Sequence, residues 1–295
     1  MGIRIVVIGG VAAGPKAAAR ARRLDPDAEI TIVEKDELLS YAGCGLPYYI
    51  SGLVQDRRQL MTTPIGVLRD PKFFAQVKDI RVLNRTKAVS IDREVKEVVV
   101  ESVDSGEVQR LPYDKLILAT GADPVEPPIP GKDLQNVWRL KQVEDADRFR
   151  AKLQQPVCPS VVIIGGGLIG MEMTEAVVEC KGAVTVVEML PHVLPMIDAD
   201  MASLVEKHMR DVGVTVVTGA RVERMEGNEN AEAVRVVTTK GAFDAGLVLL
   251  SVGVRPNVSL ARDAGLLIGA SGGIHVNEYM QTTDRDIYAA GDCAE

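Results

Sequence analysis

The chain has 295 residues, 46% of them hydrophobic, enough for two domains that each bury a core. Its 34 basic and 41 acidic residues leave a net charge of −7, which argues against a nucleic-acid partner. No apolar run approaches the roughly 18 residues needed to cross a bilayer. The opening MGIRIVVIGG reads as a strand and a turn rather than a cleavable leader, so a cytoplasmic setting with no membrane partner is expected.

In chain order, IRIVVIGGVAAGPKAAARARRL reads as an apolar strand, a glycine turn and an Ala-rich helix. AEITIVEKD follows as a second strand and delivers Glu34 at its end. SYAGCGLPYYISG then sets Cys44 between two glycines. From about Arg81 to Gln109 apolar and polar residues alternate, which predicts an antiparallel meander. YDKLILATGADP is a strand running into a turn, and the proline-rich Asp123–Gly131 reads as a hinge. The organisation then repeats. SVVIIGGGLIGMEMTEAVVEC is again strand, glycine turn and helix, AVTVVEML ends near Glu188, and a second meander leads into AGLVLLSVGVRPN. TTDRDIYAAGDCAE reads as a strand followed by the start of a helix, so the chain is expected to be a piece of a longer one.

Two βαβ units at this spacing predict an α/β fold with two Rossmann-like nucleotide-binding domains, each carrying an antiparallel β-meander. In the second glycine loop, Gly165, Gly167 and Gly170 complete the dinucleotide fingerprint. The first permits the tight turn, the second the approach of a pyrophosphate, the third close helix–strand packing. Glu188, 18 residues beyond Gly170, can accept ribose hydroxyls and would repel a 2′-phosphate, which favours NADH and leaves NADPH open. Lys207 and Arg210 lie too far along the chain to argue the reverse. The first loop keeps Gly9 and Gly14 but has Val11 in the middle, with Glu34 20 residues beyond Gly14. Cys44, Cys158, Cys180 and Cys293 are widely spread, with no C-x-x-C pair and no metal cluster.

The order VVIGGVAAG, IVEKD, LILATGA, VVIIGGGLIG, SVGVRPN, IYAAGD resembles that of the FAD-dependent pyridine nucleotide-disulfide oxidoreductases over nearly the whole chain. The resemblance implies an NAD(P)H domain (122–256) inserted within an FAD domain (1–121 and 257–295). It implies FAD held by Gly9, Gly14, Glu34, Lys35, Ser40, the turn Ala119-Thr120-Gly121 and Asp292, the last toward the ribityl chain. It implies NAD(P)H held by Gly165, Gly167, Gly170, Glu188 and Gly253. The family continues past its Gly-Asp motif into an interface domain that builds a homodimer. A full-length form is therefore expected as a dimer, and this chain as a monomer.

The two-cysteine branch of that family uses a C-x4-C pair, and here Tyr49 stands where the second thiol would be. SYAGCGLPYYISG resembles the single-cysteine branch instead. That branch comprises coenzyme A-disulfide reductases, persulfide or polysulfide reductases, and NADH oxidases and peroxidases. A helix starting near Leu46-Pro47 would favour the Cys44 thiolate, the form that exchanges with disulfides. The other three cysteines read as structural. The histidine that oxidases and peroxidases carry in the first glycine loop is matched by Ala12, while His192, His208 and His275 lie elsewhere. Lys16, Arg20 and Arg23 fall on one helix face. In coenzyme A-disulfide reductases these positions, Ser40 and a lysine matched by Lys72 contribute to binding coenzyme A, although the usual asparagine before the cysteine is Gly43 here.

The expected activity is NAD(P)H-dependent reduction, through FAD, of a disulfide, persulfide or polysulfide at Cys44, with a coenzyme A-linked sulfur species as partner. Two alternatives stay open: an NADH oxidase or peroxidase cycling Cys44 through a sulfenic acid, and an inactive nucleotide-binding fragment.

Overall fold

The computed structural model describes residues 2–295. In chain order the elements are β1 (Arg4–Ile8), α1 (Ala13–Leu24), β2 (Glu29–Val33), α2 (Leu46–Ser51), α3 (Pro71–Lys78), β3 (Arg81–Leu83), β4 (Thr86–Asp92), β5 (Glu97–Ser102), β6 (Val108–Pro112), β7 (Lys115–Leu118) and β8 (Ala122–Pro124). Then follow β9 (Val137–Trp138), α4 (Val143–Leu153), β10 (Val161–Ile164), α5 (Leu168–Glu179), β11 (Val184–Val187), α6 (Ala199–Asp211) and β12 (Thr215–Val217). The last are β13 (Val222–Gly227), β14 (Ala233–Thr238), β15 (Gly241–Asp244), β16 (Leu247–Leu250), β17 (Val254–Pro256), α7 (Ser259–Asp263) and β18 (Ile287–Ala289).

The chain forms two compact units. The first holds residues up to Gly43, Arg58–Asp123 and Arg255–Glu295; the second holds Cys44–Arg57 and Pro124–Val254. The first unit is built on a five-stranded parallel sheet in the order β18-β7-β1-β2-β3. Successive side chains of a strand point to opposite faces, and β1 uses both. Val6 and Ile8 join a core with Val98, Val100 and Leu111 of the β4-β5-β6 meander. Ile5 and Val7 join Ala18 of α1 and Phe74 of α3 on the other face. Burial on both sides is why β1 reads as a continuous apolar run rather than an alternating one.

The second unit repeats the plan with a parallel sheet β12-β11-β10-β16-β9. Val162, Ile164, Val248 and Leu250 pack against Val222, Met225 and Val236 of the β13-β14-β15 meander. The α/β class, the paired Rossmann-like sheets and both meanders are therefore as the sequence predicts. Among the described residues no helix is long and apolar enough to cross a membrane.

Two details differ from the sequence reading. Arg81–Leu83 is not part of the first meander but the edge strand of the parallel sheet, paired with Thr31–Val33; a three-residue apolar segment carries no periodicity that separates the two roles. The last five residues, expected as the start of a helix, form a turn and a bridge to Ile274. Gly291 takes φ 82°, and Asp292 and Cys293 make a turn. The following amides and carbonyls then pair with Ile274 and Val276. The Glu295 carboxylate accepts from Ala270 N, Ser271 N and Ser271 Oγ at 2.5–2.8 Å.

Candidate functional site

In the first unit the residues singled out by sequence gather at the carboxyl ends of β1, β2, β7 and β18, where open parallel sheets bind ligands. Gly9, at φ 111°, presses so closely on β7 that a side-chain carbon there would lie 2.0 Å from the Ala119 carbonyl oxygen; one on Gly14 would lie 1.9 Å from that of Gly9. The loop is thereby held flat against its sheet. Glu34 is buried and its carboxylate is tied down, accepting from Gly10 N at 2.6 Å and Asp36 N at 3.0 Å. Burial pushes this carboxyl up, opposed by the two amide bonds. Ser40 is buried at φ 52°, and its amide donates to the Gly10 carbonyl at 2.7 Å. Thr120 Oγ1 donates to Asn257 O at 2.6 Å, which fixes the turn ending in Gly121 at φ 66°. Gly291 packs against Ala13 at the start of α1, so the exposed Asp292 stands beside the glycine loop. Lys35 is exposed.

The second unit reproduces this arrangement. Gly165 has φ 108°, and a side-chain carbon on Gly170 would lie 2.1 Å from its carbonyl oxygen. Glu188, buried, accepts from Gly166 N at 2.6 Å and Leu190 N at 2.7 Å. Nothing lies within 4 Å of the side-chain position of Gly167, the residue that caps α5, or of Gly253. Lys207 is paired with Asp211 and Arg210 with Glu206, so neither cation is free to offset Glu188.

Both frames fit a dinucleotide. Each offers a helix N-terminus for a pyrophosphate. Each also holds a carboxylate with one amide on each oxygen and lone pairs to spare for ribose hydroxyls.

Cys44 lies in a 3-10 turn (Gly43–Gly45), and α2 starts behind it with Pro47 in its first turn. The thiol is exposed and free, and the side-chain position of Gly43 is open to 4 Å. Tyr49 is largely buried, and its hydroxyl donates to Asp147 Oδ1 at 2.7 Å. The other cysteines are withdrawn: Cys293 is buried, while Cys158 and Cys180 are half-buried, with their thiols pushed up by that burial. On α1, Lys16, Arg20 and Arg23 are exposed and make no ion pair among the described residues, and Lys72 in the first turn of α3 is likewise exposed. Their neighbour Arg22 is committed instead, donating to Pro26 O and Asp79 O.

Sequence reasoning missed the amides of Gly10 and Gly166 that orient the two glutamates. It also missed Asp147, Arg57 and Arg150 around Tyr49. Backbone donors leave no compositional trace, and Asp147 is one of many charged residues on an amphipathic helix. The pairing of each loop with its own glutamate, by contrast, was legible from the spacing.

Residues 3–295 match the model of the family described as pyridine nucleotide-disulphide oxidoreductase. The chain belongs to this family. It is 36% identical over 295 residues to a protein of Methanocaldococcus jannaschii named NADH oxidase, covering 99% of this chain and 63% of the relative. It is 34% identical over 293 residues to the NAD(P)H coenzyme A polysulfide/persulfide reductase of Pyrococcus horikoshii, again covering 99% and 63%. Among solved structures, the NAD-dependent persulfide reductase from A. fulgidus superposes with a TM-score of 0.95 at 44% identity, covering 99% of this chain and 54% of that one. The chain thus spans less than two thirds of the length of these pyridine nucleotide-disulphide oxidoreductases.

Proposed function

We propose that this chain carries the nucleotide-binding and sulfur-handling parts of an FAD- and NAD(P)H-dependent oxidoreductase that reduces a disulfide, persulfide or polysulfide, with a coenzyme A-linked species as the organic partner. The unit with Gly9, Gly14 and Glu34 is assigned to FAD and the unit with Gly165, Gly170 and Glu188 to NAD(P)H; along the chain the proposed division is 1–121, 122–256 and 257–295, with the segment Cys44–Arg57 grouping with the second unit. FAD, when bound, supplies a carrier that takes electrons from nicotinamide and yields them to sulfur.

The chain's own groups do the rest. Glu34 and Glu188 would accept ribose hydroxyls, the backbone amides of the glycine loops would receive the pyrophosphates, and Asp292 would hold the ribityl chain. The Cys44 thiolate attacks one sulfur of a disulfide, forms a mixed disulfide and releases one thiolate. The two electrons that NAD(P)H would supply through FAD would cleave that bond, releasing the second thiolate and restoring the Cys44 thiolate. Lys16, Arg20, Arg23 and Lys72 are free to pair with phosphates.

The observation that carries this reading is the lone exposed thiol of Cys44 with the hydrogen-bonded Tyr49 in place of a resolving cysteine. Among the described residues Cys158, Cys180 and Cys293 are half-buried or buried, which favours a small-molecule sulfur partner for Cys44. The oxidase reading is favoured by the name of the M. jannaschii relative, and opposed by Ala12 in the first glycine loop, where an acid–base histidine would be needed for oxygen chemistry.

The deciding experiment compares NADH consumption by the flavin-loaded protein with coenzyme A disulfide, polysulfide, peroxide and oxygen. Sulfur acceptors are expected to be fastest, and Cys44→Ser is expected to abolish their turnover while leaving flavin reduction by NADH intact. Faster oxygen turnover would replace this reading with the oxidase one. Asparagine fits the open space at Gly43, so Gly43→Asn is expected to leave stability unchanged while raising the preference for coenzyme A disulfide over polysulfide.

A further inference from the structure

The helix behind Cys44 has only six residues, less than two turns, too short to hold its place by its own hydrogen bonds. Its position comes from the rest of the second unit. Leu46, Pro47, Tyr49 and Ile50 are buried. One carboxylate from α4 then ties together both ends of the segment that follows Cys44. Asp147 Oδ1 accepts from the Tyr49 hydroxyl at 2.7 Å, and Oδ2 accepts from Arg57 at 2.7 Å. One turn further along α4, Arg150 donates to the carbonyls of Tyr49 at 2.9 Å and Val54 at 2.8 Å, and its guanidinium lies 4.5 Å from the centre of the Tyr49 ring. Arg150 thereby adds a donor to the Tyr49 carbonyl, which also takes the Gly52 amide at 3.3 Å, and reaches Val54 beyond the helix end. Gly52, in the left-handed region at φ 92°, closes the helix.

We propose that Asp147, with Arg150, is a positioning residue for the Cys44 thiol: it clamps α2 to α4 so that the thiol at the helix's leading end is held in one place. The proposal rests on the sulfur-reducing role given to Cys44 above. The Tyr49 hydroxyl needs an acceptor where it is buried, and Asp147 supplies it; burial and Asp147 together push that phenol up, so it stays a donor throughout the working pH range. Each oxygen of Asp147 serves one donor, so asparagine would satisfy Tyr49 but turn a donor toward Arg57. The clamp joins sequence-distant segments, 49–57 and 147–150, which explains why the position of a second cysteine is filled by a tyrosine long enough to reach α4.

The test uses two readouts. In the protein itself, Asp147→Ala is expected to raise hydrogen exchange at the amides of Gly52 and Val54, which bond back to Tyr49 and Tyr48, by ~10-fold, with α5 unchanged. In the flavin-loaded protein the same variant is expected to lower kcat for the sulfur acceptor ~10-fold, with flavin reduction by NADH and its KM within about twofold. Tyr49→Phe, which removes one hydrogen bond and keeps the ring, is expected to move both readouts in the same direction by less, and covers the case in which Asp147→Ala does not fold. Arg148→Ala is the control, because Arg148 sits on the same helix but lies over Trp138 at 4.7 Å. The proposal is overturned if Asp147→Ala and Tyr49→Phe leave exchange and the two half-reactions unchanged, or if Arg148→Ala reproduces their effects. If Cys44→Ser keeps sulfur turnover, the functional reading fails, and the exchange experiment still decides whether the clamp holds α2.

Discussion

Residues 9–14 and 165–170 follow the same backbone path and differ at three places. Both first glycines sit near φ 110°, and both loops donate a 2.6 Å hydrogen bond from the second residue to a glutamate at the end of the next strand. The third residue is Val11 in one and Gly167 in the other; α1 starts at Ala13, α5 already at Leu168, one position earlier in register. The wall behind the first glycine is Ala119 in one unit and Ser251 in the other, whose hydroxyl donates to Ile164 O and Gly165 O at 3.1 and 3.0 Å. The first and last glycines agree because a side-chain carbon there would strike a carbonyl oxygen, and the third position, open around Gly167, differs. Backbone sterics set the frame, and the open positions set what is bound.

The largest effect is expected from breaking the frame on one side only. Gly14→Ala and Gly170→Ala each force a carbon into a carbonyl oxygen, at a cost of about 1–3 kcal/mol or more. Gly14→Ala is expected to lose flavin absorbance while nicotinamide binding survives, and Gly170→Ala the reverse; calorimetric titration of each variant with NADH separates them. If either substitution removed both ligands, the two frames would not be independent.

Next come the carboxylates. Glu188→Gln is expected to weaken NADH binding by about 1.5–3 kcal/mol while NADPH loses less, because a charge-assisted hydrogen bond goes and so does a repulsive charge. Glu34→Gln is expected to weaken flavin retention without altering nicotinamide preference. Comparing Kd for the two nicotinamide nucleotides in both variants checks this, and an unchanged NADH to NADPH ratio in Glu188→Gln would remove the specificity argument.

A smaller effect is expected at the third loop position. Gly167 has room around it, so Gly167→Ala is expected to change stability by less than about 0.5 kcal/mol, and any larger loss of NADH affinity then reports a ligand passing close to that carbon.

The smallest effect concerns the first sheet alone. Hydrogen bonds from Lys115 and Lys96, at 2.7 and 2.6 Å, hold the Asp286 carboxyl down at about 2. Its stabilising contribution is therefore present above the ordinary carboxylate value of ~3.9 and is lost as pH falls toward 2. Asp286→Asn is expected to flatten that part of the acid-unfolding curve, followed by circular dichroism, and to leave the curve above pH 5 nearly parallel to that of the unsubstituted chain.

The loop frames were legible in the sequence because glycine spacing and strand ends are local features. The repeat VVIGG and VVIIGG located both sheets, and the spacing from Gly14 to Glu34 and from Gly170 to Glu188 located both carboxylates. What escaped was non-local. Arg81–Leu83 joins the parallel sheet only because Thr31–Val33 offers it an edge. The chain after Ala289 turns and pairs with Ile274, and the Glu295 carboxylate accepts from the Ser271 amide. Asp147 matters only because Tyr49, 98 residues earlier, points at it.

The membership of Cys44–Arg57 in the second unit bears on how relatives of this chain can be recombined. A chimera that exchanged only Pro124–Val254 would pair one parent's α4 with the other parent's α2, and Tyr49 could face a helix without its carboxylate. A cleaner exchange carries two stretches, 44–57 and 124–254, as one cassette. The thiol is then inherited with the second unit, although by position in the chain it sits among the residues of the first.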